Sequence, residues 1–282
     1  MRNRLFLSLQ YLLPQHIISR FFGFLAEVKI PFIKNFFIHI FMWRYGIKLS
    51  ENVIEDPKEF PTFNDFFIRR LKKEARPIDQ DNQAILSPVD GTITQLGRIE
   101  NQLLLQAKDF YFNIEGLLGG DAELSRIFAD AAFITFYLAP KHYHRVHMPY
   151  QGTLEQTIYV PGDLFSVNNI TTEHIPGLYS RNERLITIFN TDIGKIAIIL
   201  IGAIIVGSIQ TVWMQEPQRA NKLIKETLTA SVILNKGDEL GYFKLGSTVI
   251  LLIEKNNLTF LPHLKTNTSV SFGQSIGKLS LS

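Results

Sequence analysis

The sequence predicts an α+β protein: a β-rich, mostly antiparallel core preceded by an N-terminal amphipathic helical region. Three observations carry this. Apolar residues in the first fifty positions recur at helical spacing: Ile18, Phe21, Phe22 and Leu25, then Ile33, Phe36, Phe37, Ile40 and Phe41. After Pro77 the pattern changes to short apolar runs bounded by turn dipeptides. Finally, 282 residues with a hydrophobic share of 46%, and with no internal repeat, suffice for one large core.

Pro14 and Pro31 should divide the opening region into short helices, because an interior proline removes a hydrogen bond. Thr62 to Leu71 reads as a further helix. Thr62 or Asn64 can take its cap, Asp65 suits its positive end, and Arg76-Pro77 closes the region. Strands are expected at 84–88, 91–96 and 103–105, separated by Asp-Gly and Asn-Gln turns. A helix over 122–128 capped by Asp121 follows. Further strands are expected at 132–138, 152–160, 185–189, 195–206 and 249–254. The run from Ile196 to Val206 is the longest apolar stretch, too short to span a bilayer and better read as buried strand.

Composition narrows the function classes. The chain has no Cys, which removes disulfides, thiolate metal sites and thiol nucleophiles. Seven basic side chains stand against Glu27 alone in residues 1–50, giving +6 there; the overall +3 leaves −3 on the rest. Basic charge interleaved with phenylalanine suits an anionic membrane surface, whereas a nucleic-acid arm would be more polar. Leu5 to Leu13 after Arg2 and Arg4 mimics the start of a signal peptide. Ser8 and Gln10 interrupt it and no small-residue cleavage site follows.

The residues that could carry chemistry are sparse. His142, His144 and His147 crowd one short segment between Pro140 and Pro149. Asp90 sits in Ser87-Pro88-Val89-Asp90-Gly91, where an ordinary turn is the bland reading. Gly246-Ser247 interrupts a strand-like stretch, ordinarily a bulge or turn. A serine, a histidine and an aspartate together are the parts of a nucleophile-activation system. The glycine ahead of Ser247 offers an unhindered carbonyl, so the serine could attack its own backbone. A His-x-His pair also suits zinc, although no Asp or Glu lies within the cluster.

Several blocks together resemble the phosphatidylserine decarboxylases, which carry a pyruvoyl group. They are Phe63-x-x-Phe66-Phe67-x-Arg69 with Arg76-Pro77, Ser87-Pro88-Val89-Asp90-Gly91, Tyr143-His144-Arg145-Val146-His147-Met148-Pro149 and Tyr159 through Asn168. Arg181-Asn182-Glu183-Arg184, Val206-Gly207-Ser208-Ile209 and Phe243-Lys244-Leu245-Gly246-Ser247-Thr248 complete the set. The resemblance implies a proenzyme that cuts itself between Gly246 and Ser247. His147 would take the Ser247 proton and Asp90 would hold the imidazole tautomer. The alkoxide attacks the Gly246 carbonyl, turning amide into ester. Elimination releases the carboxylate, and hydrolysis of the dehydroalanine with loss of ammonia leaves a pyruvoyl group derived from Ser247.

That group would form a Schiff base with the amine of phosphatidylserine and accept electrons as CO2 leaves, giving phosphatidylethanolamine. His144 is the expected residue for protonation or carboxylate orientation, and His142 is structural. The resemblance further implies residues 1–76 as a helical membrane-association region packed on a catalytic core of 77–282. Self-cleavage would give large (1–246) and small (247–282) subunits forming a heterodimer that dimerises further. The expected location is the cytoplasmic face of the cell membrane, peripherally bound, with no nucleic acid and no metal. Two alternatives compete: a zinc hydrolase using His142, His144 and His147, and a non-catalytic lipid-binding protein.

Overall fold

A computed structural model describes residues 2–107, 110–205, 208–217, 220–244, 247–254 and 258–279. Three helices open it: α1 (Arg2–Leu12), α2 (Gln15–Ala26) and α3 (Pro31–Tyr45). The prolines divide them as expected, Pro14 standing at the N-cap of α2 and Pro31 in the first turn of α3.

These helices turn polar side chains inward. Buried Gln10 accepts from the Ser166 N–H at 2.9 Å, and buried Gln15 accepts from the Leu164 N–H at 2.5 Å. Ser19 Oγ accepts from the Ile205 N–H at 3.0 Å. Ile17, Phe21 and Phe24 on α2, and Phe32, Phe36, Ile40 and Trp43 on α3, face outward instead. Only part of the apolar periodicity serves internal packing: Ile38 and Phe41 join a small cluster with Phe60, Phe63, Phe66 and Phe67.

The next helix is α4 (Phe63–Phe67), where the Thr62 hydroxyl oxygen accepts from the Asp65 N–H at 3.0 Å. It stops four residues before Leu71, the expected end. There the backbone turns extended, Leu71 bridging to Asn52 and the Arg70 carbonyl accepting from Val53.

The core is an eight-stranded antiparallel sheet. Its members are β2 (Gly91–Arg98), β5 (Ala132–Leu138), β7 (Gly152–Val160), β8 (Arg184–Thr191), β9 (Gly194–Ile201), β11 (Ile224–Leu234), β13 (Ser247–Ile253) and β15 (Ser269–Val270). Their spatial order is β11-β7-β8-β9-β13-β5-β2-β15. The apolar run beginning at Ile196 forms β9, with Ile196 to Ile201 fully buried. It ends at Ile201, earlier than expected, where the Gly202 N–H turns to the Glu183 carbonyl.

Smaller sheets flank this one. One runs β1 (Ala84–Leu86), β16 (Ser275–Leu279), β14 (Leu258–Phe260). Another runs β10 (Ser208–Thr211), β12 (Glu239–Lys244), β6 (Arg145–His147). A hairpin joins β3 (Leu103–Ala107) to β4 (Phe110–Asn113), entered through Asn101 and Gln102 in the left-handed region. Short helices α5 (Ile114–Leu117), α6 (Ala122–Ile127), α7 (Asn169–Thr172) and α8 (Leu178–Arg181) fill the connections, α6 capped by Asp121 as expected.

Candidate active site

In the chain, the expected scissile step falls after a strand of one sheet and at the start of a strand of another. Strand β12, central in its three-stranded sheet, runs to Lys244, and β13 opens at Ser247 opposite Leu138 of β5. Gly246 lies outside the described residues, and Ser247 is described here by its backbone. Ser247 is paired on one side only, and from Thr248 onward β13 is flanked on both sides, by β5 and β9, with Val249 to Leu252 buried.

His147 ends β6, where its backbone N–H donates to the Pro88 carbonyl at 2.8 Å. Its Nδ1 lies 2.9 Å from the Gly237 carbonyl, which can only accept, so the proton sits on Nδ1 and Nε2 carries the lone pair. Nε2 is 3.1 Å from the Tyr143 hydroxyl, the donor in that pair. Phe272 stacks on the imidazole at 3.9 Å with planes 10° apart. Burial pushes the His147 pKa below its ordinary value, the Gly237 hydrogen bond pulling weakly the other way. A neutral imidazole with its acceptor nitrogen defined is the form a general base requires.

Asp90 is close by but differently engaged. Arg76 reaches it with Nε at 3.1 Å from both carboxylate oxygens and Nη2 at 2.6 Å from Oδ2. The Phe272 N–H donates to Oδ1 at 2.9 Å. The resemblance gave Asp90 the task of holding the His147 tautomer, and in this structure the Gly237 carbonyl occupies that position instead. Asp90 acts on the ring through space and through Phe272. Gly237 can serve because it is a glycine: its φ is 86°, and a Cβ there would collide with Ile78.

His144 is wholly buried, and its Nδ1 donates to the His142 carbonyl at 2.8 Å. Its Nε2 makes no hydrogen bond of good geometry among the described residues, although the Leu138 backbone lies near enough to pull the pKa slightly upward. The ring rests on Phe67 at 4.1 Å and lies beside the backbone of Leu138, the partner of Ser247. Burial, reinforced by Arg69, pushes its pKa down to about 3. The ring is therefore neutral, with the Nε2 lone pair unclaimed.

The third histidine does not complete a metal site. His142 Nδ1 accepts from the Ala139 N–H at 3.1 Å, consistent with a structural role. With His144 Nδ1 on a carbonyl and both His147 nitrogens engaged, the three rings do not converge, and among the described residues no cluster of three potential ligands forms. The donor geometry thus disfavours the zinc reading.

Sequence reasoning assigned no role to several residues here. Arg76 and Tyr143 stood inside the quoted blocks, so their positions were marked while their contacts were not. Gly237 and Phe272 lie in turn segments without any distinguishing pattern. Arg69, also in a block, is buried and donates to the Lys141 carbonyl at 2.9 Å, leaving Nε and Nη1 unpaired among the described residues.

On the α2 side, a cleft of about 550 Å³ separates the helix from the core. Arg20, Phe24 and Glu27 form its helical wall, and Lys244 and Ser208 its sheet wall. Glu27 accepts from Lys244 Nζ at 2.7 Å and from Asn64 at 2.8 Å. Burial would raise the Glu27 pKa, but these hydrogen bonds outweigh it and hold the carboxyl below its usual value. The cleft therefore joins the outward-facing helix to the strand that leads into Ser247.

Comparison with known proteins gives the family that the chain resembles. A family model described as phosphatidylserine decarboxylase matches residues 63–278, and a second, described as PSD, matches residues 5–46. A phosphatidylserine decarboxylase proenzyme of Alcanivorax borkumensis is 47% identical, covering 98% of this chain and 97% of the relative. Proteins of the same name from Stutzerimonas stutzeri (46%, covering 100% and 96%) and Haemophilus ducreyi (45%, covering 98% and 95%) are similar to it over comparable lengths.

Proposed function

The chain belongs to the phosphatidylserine decarboxylase family, and from that premise we propose a self-processing carbon–carbon lyase that converts phosphatidylserine to phosphatidylethanolamine and CO2. The observation that carries this reading is the head of β13. Ser247 opens that strand opposite Leu138, and His144 lies beside Leu138 with its buried Nε2 unpaired.

Self-cleavage at Gly246-Ser247 needs a base, and His147 is suited to it. Gly237 fixes the tautomer, burial keeps the ring neutral, and Nε2 can accept the Ser247 proton once the Tyr143 hydroxyl gives way. Asp90 supports the protonated ring electrostatically while Arg76 fixes the carboxylate. The alkoxide then adds to the Gly246 carbonyl, and the amide becomes an ester.

A pyruvoyl group left by Ser247 would supply an electron-accepting carbonyl for the departing CO2. The surroundings fit such a group: His144 Nε2 is buried beside the backbone of Leu138, the strand partner of Ser247, with no hydrogen-bond partner of good geometry among the described residues. His144 is the residue to hold the carboxylate region or to pass a proton to the α-carbon. The lone pair on Nε2 means that it must first take up the proton it delivers.

The large subunit (1–246) and the small subunit (247–282) would remain together, since β13 is hydrogen-bonded to β5 and β9 of the large piece. We place the enzyme peripherally on the cytoplasmic face of the cell membrane. The outward stripes Ile17, Phe21, Phe24 and Phe32, Phe36, Ile40 lie on a segment of charge +6. No described helix is long and apolar enough to cross a membrane. Further dimerisation of processed protomers is part of the same reading.

The decisive experiment is the intact mass of the C-terminal fragment of purified protein, alongside release of labelled CO2 from phosphatidylserine. A fragment starting at position 247 with a pyruvoyl mass, and label release, is expected. A single uncut chain in preparations that release label would overturn the mechanism.

A further inference from the structure

We propose that Arg20 grips the phosphodiester of the lipid headgroup in the cleft between α2 and the core. The assignment rests on the decarboxylase activity proposed above and names the subsite by which the substrate is held.

Of the two cations that wall the cleft, Lys244 is committed to Glu27 at 2.7 Å. Arg20 makes no ion pair or hydrogen bond among the described residues, although it sits on a helix held firmly to the core. Across the cleft Ser208, only 5% exposed, has an Oγ without a partner among the described residues. Ser208 pairs with Lys244 in the β10–β12 ladder, so this hydroxyl lies at the strand that leads into Ser247. A guanidinium on one wall and an unfilled hydroxyl on the other match an anionic oxygen pair, which Arg recognises with two parallel N–H groups.

The neighbours of Arg20 say which anion. Ile17, Phe21 and Phe24 project outward from the same helix, and Phe24 both lines the cleft and is 72% exposed. A headgroup in the cleft would leave its acyl chains along that apolar stripe, without leaving the interface. The phosphodiester, between amine and acyl chains, is the portion that falls at Arg20.

The test compares wild type with Arg20→Gln, Arg20→Lys and Arg44→Gln, the last altering an exposed α3 cation that stacks over Tyr45 outside the cleft. Self-cleavage is read by gel. Decarboxylation is read in detergent micelles of varied phosphatidylserine content, and membrane association by sedimentation with phosphatidylglycerol vesicles. Glycerophosphoserine and inorganic phosphate serve as soluble competitors.

Arg20→Gln should cleave fully, raise KM by about tenfold or more with kcat nearly kept, and lose inhibition by glycerophosphoserine. Arg20→Lys should fall between. Arg44→Gln should weaken vesicle sedimentation while keeping the micellar KM. An unchanged KM in Arg20→Gln overturns the assignment, as does a loss confined to vesicle sedimentation. Inorganic phosphate competing as well as glycerophosphoserine would mark a free-phosphate site and also overturn it. Wild type that makes no phosphatidylethanolamine overturns the activity itself and this subsite with it.

Discussion

Phe272 joins the two groups proposed to carry the cleavage chemistry. Its ring lies flat on His147 at 3.9 Å, and its backbone N–H donates to Asp90 at 2.9 Å. The histidine and the aspartate are thus registered to each other by a third residue. Through that residue the hydration of the base and the position of the carboxylate are linked.

Removing the ring should therefore move a pH profile. Burial lowers the His147 pKa, so the neutral, basic form persists below the ordinary imidazole value of about 6.5 and is lost as pH falls through the depressed value. Phe272→Leu admits water to the ring and returns the pKa upward. Self-cleavage of pulse-labelled proenzyme should then lose its acid limb at higher pH than wild type. An unmoved limb would show that Phe272 does not shield the base.

Cleavage and decarboxylation should separate between two histidines. Ser247→Ala is expected to leave an uncut, inactive chain. His144→Ala should cut yet release less than about a hundredth of the wild-type CO2, the scale of a lost acid–base group. Gels and labelled-CO2 release read both. Blocked cutting in His144→Ala with normal cutting in His147→Ala would reverse the two roles.

Stability should depend on the Arg76 fork. The pair is largely buried, with side-chain exposures of 17% for Arg76 and 10% for Asp90. Arg76→Gln leaves the carboxylate with the Phe272 N–H and an uncompensated charge, which costs about 3 kcal/mol. Arg76→Lys keeps the charge without the fork and should lose less. Urea midpoints of the cleavage-blocked Ser247→Ala background measure the series.

The outward stripe of α2 should matter to membranes and not to folding. Phe21 and Phe24 are 57% and 72% exposed, so changing both to Ser should leave the thermal midpoint within a degree or two. Vesicle association should weaken by roughly tenfold per ring, from about 1.5 kcal/mol or more of lost apolar burial each. Unchanged sedimentation would remove this helix from the membrane contact.

Much of this fold was legible because local signals and burial agreed. The strand expectations at 132–138 and 152–160 match β5 and β7, and Asp121 and Thr62 cap where their side chains allow. Strand β11 escaped notice because an edge strand reading Ile-Lys-Glu-Thr-Leu-Thr lacks a continuous apolar run. The helical stripes were visible, yet their direction was not: periodicity defines a face, and only Gln10, Gln15 and Ser19 reveal which face docks.

The site was legible only as a set of separated residues. Asp90 and His147 could be paired by resemblance, but the contacts that occupy them were not: Arg76 and Tyr143 lie in quoted blocks that do not say what they touch, and Gly237 and Phe272 lie far off in sequence. Gly237 marks a turn, but nothing in residue type says that its carbonyl meets His147. Its φ of 86° is a property of the folded turn.

The central position of β13 bears on the order of events in the cell. Downstream of it, β15 pairs with β2 and β16 with β1, so the last segment is woven into two sheets. A chain severed ahead of Ser247 before this weaving would have to find its other piece by diffusion, a second-order process. Severed afterwards, it keeps every ladder. Folding must therefore precede cutting, and a denatured processed enzyme should regain structure at a rate that depends on its concentration, unlike its uncut Ser247→Ala counterpart.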